Sequence, residues 1–171
     1  MTSKPSALKQ LLRKVPTIEE FEQAHTELRR DGARGAVILG ATIVEHQIRD
    51  LLVSSLRPDL TYAELEELFG PSRPLASFAT KIKLGYAMQI YGLKTRHDLE
   101  LLRELSNLFA HSRTVITFAT PEVVDTLRQF ICHVRREPNM RSRFISVVHI
   151  LTAHLYLRRT VGPGSKMPPL D

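Results

Sequence analysis

The stretch from residue 34 to residue 56 constrains the fold most, because it is too apolar to lie at a protein surface. Its apolar residues are spread nearly all round a helical projection in its first half, and they are Ala36, Val37, Ile38, Leu39, Ala41, Ile43, Val44, Ile48, Leu51, Leu52 and Leu56. A helix that is apolar on every side is normally buried at the centre of a domain. Arg57-Pro58 ends it, because the residue before a proline is pushed out of helical conformation. We therefore predict a domain packed around one buried central helix.

Capping signals divide the rest of the chain into further helices. The Thr-x-x-Glu boxes at 17–20 and 61–64 each predict a helix start, and Thr120-Pro121-Glu122 predicts another. We expect Pro74 to occupy the first position of its helix, and Thr95 with Asp98 to cap the helix that follows. Bounded by glycine and proline, the predicted helices cover residues 6–14, 18–30, 34–56, 61–70, 75–91, 95–113, 121–134 and 140–159.

These helices predict an all-α fold, a single-domain bundle of seven to eight helices over residues 1–161. Residues 113–120 are rich in β-branched side chains, but no second segment is available to pair with them as a strand, so we interpret them as an extended connector. Residues 162–171 contain three prolines and two glycines. That composition predicts a disordered tail.

Bulk composition narrows the function classes only slightly. The net charge of +6 permits a nucleic-acid partner or an acidic protein partner and requires neither. The single cysteine excludes an intrachain disulfide. No apolar run reaches the length of a membrane span, so we expect a cytoplasmic protein. The histidines lack metal-ligand spacing and no phosphate loop is present, so we expect no metal, no cofactor and no small-molecule substrate.

The helix predicted over 95–113 carries the sharpest polar feature. Leu101, Leu102, Leu105, Leu108 and Phe109 fall within an arc of roughly 120°, which suits a core-facing stripe. Glu100, Glu104, Asn107 and His111 form a second arc of about 60°, which we name the polar seam. Asn107 and His111 lie one turn apart and reach the same point. The pair is a surface polar pair, a helix-end cap by His111, a subunit-interface or partner-recognition site, or a catalytic site.

A cluster of arginines extends from the connection between the last two predicted helices into the first turn of the last one. It contains Arg135, Arg136, Arg141 and Arg143, offset only by Glu137. Closely spaced arginines suit contact with phosphate or other anions. The cluster is therefore a candidate anion or nucleic-acid patch, with a solvated surface as the alternative.

Two stretches together resemble a known family. Residues 74–87 read Pro-Leu-Ala-Ser-Phe-Ala-Thr-Lys-Ile-Lys-Leu-Gly-Tyr-Ala, and residues 98–112 read Asp-Leu-Glu-Leu-Leu-Arg-Glu-Leu-Ser-Asn-Leu-Phe-Ala-His-Ser, followed by Thr117-Phe118. This resembles the mannitol operon repressor family of bacterial proteins (MtlR or MltR) over about residues 34–125. The helix over 36–56, with Glu45 in its middle, resembles that family's helix too.

The resemblance implies an all-helical, cytoplasmic bacterial regulator of genes for sugar-alcohol uptake. The family lacks an obvious DNA-reading module, as this chain does, so we expect a non-enzymatic regulator that acts through a protein partner, with direct DNA contact left open. We also expect a homodimer. The partner-binding candidates are Pro74, Ser77, Lys81, Glu104, Asn107 and His111.

The ending Asn-x-x-x-His is also similar to the HEPN superfamily, many of whose members are metal-independent ribonucleases that use an arginine and a histidine. The arginine position is Ser106 here. Arg103 lies about 12 Å along the axis from His111 and roughly 80° round it. The alternative is thus a HEPN-like ribonuclease or toxin component with a degenerate site at His111 and Asn107. A third interpretation is a purely structural module whose seam is buried against Glu45 or Arg49.

Overall fold

The computed structural model describes residues 18–30, 32–132 and 136–161, and it is all-helical over these ranges with no strand. This confirms the predicted all-α class. The predicted helix over 6–14 and the predicted tail over 162–171 lie outside the described residues. The seven described helices are α1 (Ile18–Arg30), α2 (Ala33–Ser54), α3 (Tyr62–Phe69), α4 (Phe78–Ala87), α5 (Leu93–His111), α6 (Pro121–Arg128) and α7 (Met140–Val161).

Helix α2 is the central element, as its apolar pattern predicts. It packs most extensively against α7 and also contacts α1, α4 and α5. The side of α2 turned to these helices contains Ala36, Val37, Gly40, Ala41, Val44, Ile48, Leu51 and Leu52, all buried. Burial of this surface on several neighbours is the main source of the stability of the bundle.

Gly40 sets the close approach of α2 to α7. A Cβ atom at Gly40 would lie 2.9 Å from Phe144 Cζ and 2.9 Å from Val148 Cγ2. Further along, Arg159 Nη1 lies 3.2 Å from Asp50 Oδ2. The contacts advance in the same direction along both helices, so α2 and α7 run parallel. Only glycine fits the backbone at this crossing without displacing a buried side chain.

We expect Gly40→Val to lower the free energy of unfolding by about 2 kcal/mol, because overpacking a dense core outweighs the gain in helix propensity. Urea denaturation measures this change. Gly32→Val introduces the same side chain where nothing lies within 4 Å of a Cβ atom, so it is the matched control and should cost less stability. Equal losses from Gly40→Val and Gly32→Val would show that α2 and α7 do not pack this closely.

Several predicted boundaries are confirmed. Helix α1 has the predicted limits, and Thr61 forms the predicted capping box, with Glu64 Oε2 accepting from Thr61 N at 2.7 Å. Asn139 Oδ1 accepts from Ser142 N at 2.9 Å and so caps α7. The connector after α5 has no strand, and it is closed by Phe118, whose ring centroid lies 6.2 Å from that of Phe109 and 5.6 Å from that of Phe144.

Predicted boundaries of three helices are wrong. Helix α4 begins at Phe78 rather than at 75 and ends at Ala87 rather than 91, because Ser77, not a residue next to Pro74, caps it by accepting from Thr80 N at 3.0 Å. Helix α5 begins after Gly92, so Thr95 is inside the helix and is not its cap. Helix α6 ends at Arg128 instead of 134.

Asp98 explains the early end of α6. Its carboxylate is fully buried and accepts from Ile131 N at 2.9 Å and from Cys132 N at 2.7 Å. Those two N–H groups would otherwise bond within a longer helix. The residue that we predicted as part of a helix cap therefore acts at a distance, on the segment after α6.

No helix among the described residues combines the length and the hydropathy needed to cross a lipid bilayer.

Candidate functional site

Lys81, in the first of the two stretches that resemble the repressor family, is buried, and its contacts are structural. Lys81 is 5% exposed, and its Nζ donates to Glu45 Oε1 at 2.7 Å and to the Ala76 carbonyl oxygen at 2.9 Å. Glu45 comes from the middle of α2. A charge at such depth is tolerated because it is paired and hydrogen-bonded. Lys81 therefore joins α4 to the central helix and supports the turn before α4.

The turn 74–77 is thereby presented at the surface. Pro74 and Ser77 are exposed, and the Ser77 hydroxyl lies 2.7 Å from Thr80 Oγ1 as well as capping Thr80 N. The bond from Lys81 to Ala76 fixes the backbone between them. The turn is thus a rigid surface, and Lys81 positions it without itself being accessible.

Helices α4 and α5 form an antiparallel pair that brings the turn to the polar seam. The Arg96 guanidinium carbon lies 4.6 Å from the centre of the Tyr86 ring. Ser77 precedes Tyr86 by nine residues and Leu105 follows Arg96 by nine, about 13 Å in each helix. The turn at Ser77 and the seam at Asn107 and His111 therefore both lie at the ends of α4 and α5 that are remote from the connection between these helices.

The polar seam is accessible. The Glu104 side chain is 63% exposed, and Asn107 and His111 are exposed as well. Within the described ranges, neither Asn107 nor His111 forms a side-chain hydrogen bond. The interpretation of a buried seam is wrong, because Glu45 bonds Lys81 and the Arg49 guanidinium carbon lies 5.5 Å from the Phe69 ring centre.

The end of the seam is held by a residue that sequence reasoning missed. Arg34 Nη2 donates to the Ser112 carbonyl oxygen at 2.9 Å. A guanidinium from α2 therefore lies beside the residue that follows His111. The only signal in the sequence is a lone charge at the start of an apolar helix, and it does not reveal the partner.

The arginine nearest upstream in α5 is engaged elsewhere. Arg103 Nε donates to Glu100 Oε2 at 2.7 Å, and Arg103 Nη2 lies 3.7 Å from Glu104 Oε1. This agrees with the geometric expectation that Arg103 does not join His111. The described residues also contain no group of three His, Cys, Asp or Glu side chains that could hold a metal ion.

The arginine cluster does not form one exposed patch over its described members. Arg141 Nη2 donates to the Leu28 carbonyl oxygen at 2.7 Å, and Arg143 Nε donates to the Leu127 carbonyl oxygen at 2.7 Å. These two side chains join α7 to α1 and to α6. Arg136 is exposed, and Arg135 lies outside the described residues.

These features define a class of protein, a helical bundle with a rigid, exposed polar surface on one pair of helices, α4 and α5. Its fold is similar to that of a chain in the X-ray structure of the MtlR-HPr complex from Escherichia coli, with a TM-score of 0.66 and 18% sequence identity. The match covers 78% of this chain and 96% of that chain. Identity this low shows a shared fold and leaves function to be argued from the site. No family model and no curated protein matches the chain.

Proposed function

We propose that this chain is a non-enzymatic regulator that binds a protein partner through the α4–α5 surface, which consists of Pro74, Ser77, Glu104, Asn107 and His111. The main observation behind this proposal is that Asn107 and His111 are exposed without hydrogen-bond partners in the described ranges. They lie at the same end of the α4–α5 pair as the turn that Lys81 holds in place. Exposed polar groups without internal partners can bond to an incoming surface without first breaking a hydrogen bond within the fold.

The fold comparison supports a protein as that partner, since the similar chain was solved as part of a complex with HPr. HPr is therefore the first partner to test. We further propose a cytoplasmic, dimeric bacterial protein that regulates transcription through this partner, with sugar-alcohol uptake genes as its target. Direct DNA binding is the less favoured route, because Arg141 and Arg143 bond backbone carbonyls inside the fold.

We expect the double variant Asn107→Ala/His111→Ala to raise the Kd for HPr at least about tenfold, roughly 1.4 kcal/mol. Both side chains are exposed, so the fold should be retained. Isothermal titration calorimetry with the purified full chain measures the Kd, and circular dichroism checks the helical content.

His97→Ala is the matched control for this experiment. His97 is an exposed histidine on α5, about 21 Å along the helix from His111. Its substitution should leave the Kd unchanged. Binding of HPr that survives the double variant would place the interface elsewhere, and no binding by the native chain would remove HPr as the partner.

Arg34 favours a second candidate, a HEPN-like ribonuclease. Its guanidinium lies beside the residue after His111, and a cation near a histidine stabilises charge that develops on a phosphodiester. Cleavage of a fluorescent single-stranded RNA by the native chain, lost in both His111→Ala and Arg34→Ala, would establish the enzyme. Equal RNA cleavage by the native chain and by both variants would exclude a ribonuclease function.

A further inference from the structure

The loop that follows α5 is fixed at both ends. At its start, Arg34 Nη2 donates to the carbonyl oxygens of Ser112 at 2.9 Å and Thr114 at 3.5 Å, and Thr114 N donates to Ser112 Oγ at 3.1 Å. At its end, Phe118 packs between two buried rings. Val115 lies between these anchors and is nevertheless 91% exposed. A fixed loop thus holds a β-branched apolar side chain in solvent.

Two more exposed apolar side chains lie beside this loop. Leu108 is 40% exposed, and its carbonyl oxygen accepts from Ser112 N at 3.0 Å. Ile38 is 37% exposed and follows Arg34 by one turn of α2. Single exposed apolar residues are ordinary, but several within one helical turn of the same contact form a patch of the kind found at interfaces.

Basic side chains lie beside this patch. Arg34, His111 and Arg113 are exposed, and residues 111–119 contain no acidic residue. Arg113 forms no ion pair in the described ranges. An apolar centre with an arginine-bearing rim is the usual composition of a protein-binding surface, and its charge selects an acidic partner.

The side chains of this patch disfavour a single-stranded nucleic acid as its ligand. Such ligands bind by stacking bases on exposed aromatic rings. Among the described residues, the aromatic rings at this loop are Phe118, which is half-buried, and Phe109 and Phe144, which are fully buried. A valine side chain offers a base no such surface.

We propose that this corner, consisting of Ile38, Leu108, Val115, Arg34, His111 and Arg113, binds a protein segment in which an apolar side chain is flanked by carboxylates. The apolar side chain covers Val115, and the carboxylates bind the guanidinium groups. This deepens the proposed function, on which it rests in assuming a protein partner, and it shares only His111 with the α4–α5 surface.

Selection from a random peptide library on the immobilised full chain tests the corner without any named partner. We expect enriched peptides with an apolar residue next to Asp or Glu. Val115→Ser and Arg113→Glu should each raise the Kd of a synthetic enriched peptide at least about tenfold, and added salt should weaken binding. Leu93→Ser and Lys94→Glu, exposed at the other end of α5, should leave it unchanged.

Other outcomes overturn the proposal. Basic or uncharged enriched peptides, no enrichment, or peptides that bind Val115→Ser as well as the native chain would each exclude an acidic segment here. Tighter binding of a single-stranded RNA, dependent on Arg113 but not on Val115, would assign the corner to nucleic acid. If acidic peptides bind the corner while HPr does not bind, only the proposed partner fails. If HPr binding depends on Asn107 but no acidic peptide is enriched, only the corner fails.

Discussion

Lys81→Ala should lower the free energy of unfolding by about 3 kcal/mol, near the lower limit for breaking a buried ion pair. The variant leaves the Glu45 carboxylate without its cation and the Ala76 carbonyl without its donor. The Glu45 side chain is 27% exposed, so water compensates in part, which keeps the loss at the lower limit. Urea denaturation followed by circular dichroism gives the value.

Lys83→Ala is the matched control, because Lys83 is an exposed lysine on the same helix and its loss should change stability by less than about 0.5 kcal/mol. The double variant Lys81→Met/Glu45→Met should recover much of the loss, since an apolar pair of similar volume leaves no unpaired charge. Additive losses from the two single substitutions would contradict a coupled Lys81–Glu45 pair.

Asp98→Ala should destabilise the fold by a similar amount, about 3–4 kcal/mol. The carboxylate is fully buried, and its removal leaves the N–H groups of Ile131 and Cys132 without their charged acceptor. Hydrogen bonds to a charged group contribute about 1.5–3 kcal/mol each. Hydrogen exchange of these two amides should accelerate more than exchange in the middle of α2.

Cys132 provides a local readout of the same substitution. Burial, together with the nearby Asp98 carboxylate, raises the pKa of the Cys132 thiol well above its ordinary value, so alkylation at neutral pH should be slow. Asp98→Ala lowers that pKa and opens the segment, and alkylation of this single cysteine should accelerate. Asp125→Ala, which removes an exposed carboxylate, should change neither stability nor alkylation. An unchanged alkylation rate in Asp98→Ala would contradict the role of Asp98.

The two buried charged residues, Lys81 and Asp98, differ in their distance from the proposed binding surface. Lys81 bonds the turn 74–77, so a conservative variant such as Lys81→Met should weaken partner binding even in the fraction that stays folded. Asp98 supports the segment after α6, at the end of α5 remote from His111. A mild loss of stability through Asp98→Asn should therefore leave the Kd for HPr unchanged.

The periodicity of apolar residues and the helix-capping signals were sufficient to predict the class of fold. The apolar run over 34–56 predicted the central helix. Local signals such as Thr61 with Glu64, and Thr120-Pro121-Glu122, predicted the starts of α3 and α6. Such signals act within one turn, so they can be recognised without knowing the neighbours. The exposure of Asn107 and His111 also agrees with their place outside the apolar arc of α5.

What the sequence alone determined is therefore the local structure: which segments are helical, which of them is central and which side of α5 is polar. Only the tertiary structure decided the partners of isolated charges, pairing Lys81 with Glu45, Asp98 with two distant N–H groups and Arg34 with the loop after His111. The physical reason is range. Helix capping and amphipathicity depend on residues three or four apart, whereas these bonds join side chains to groups 33 to 78 positions away, which meet only when the bundle packs.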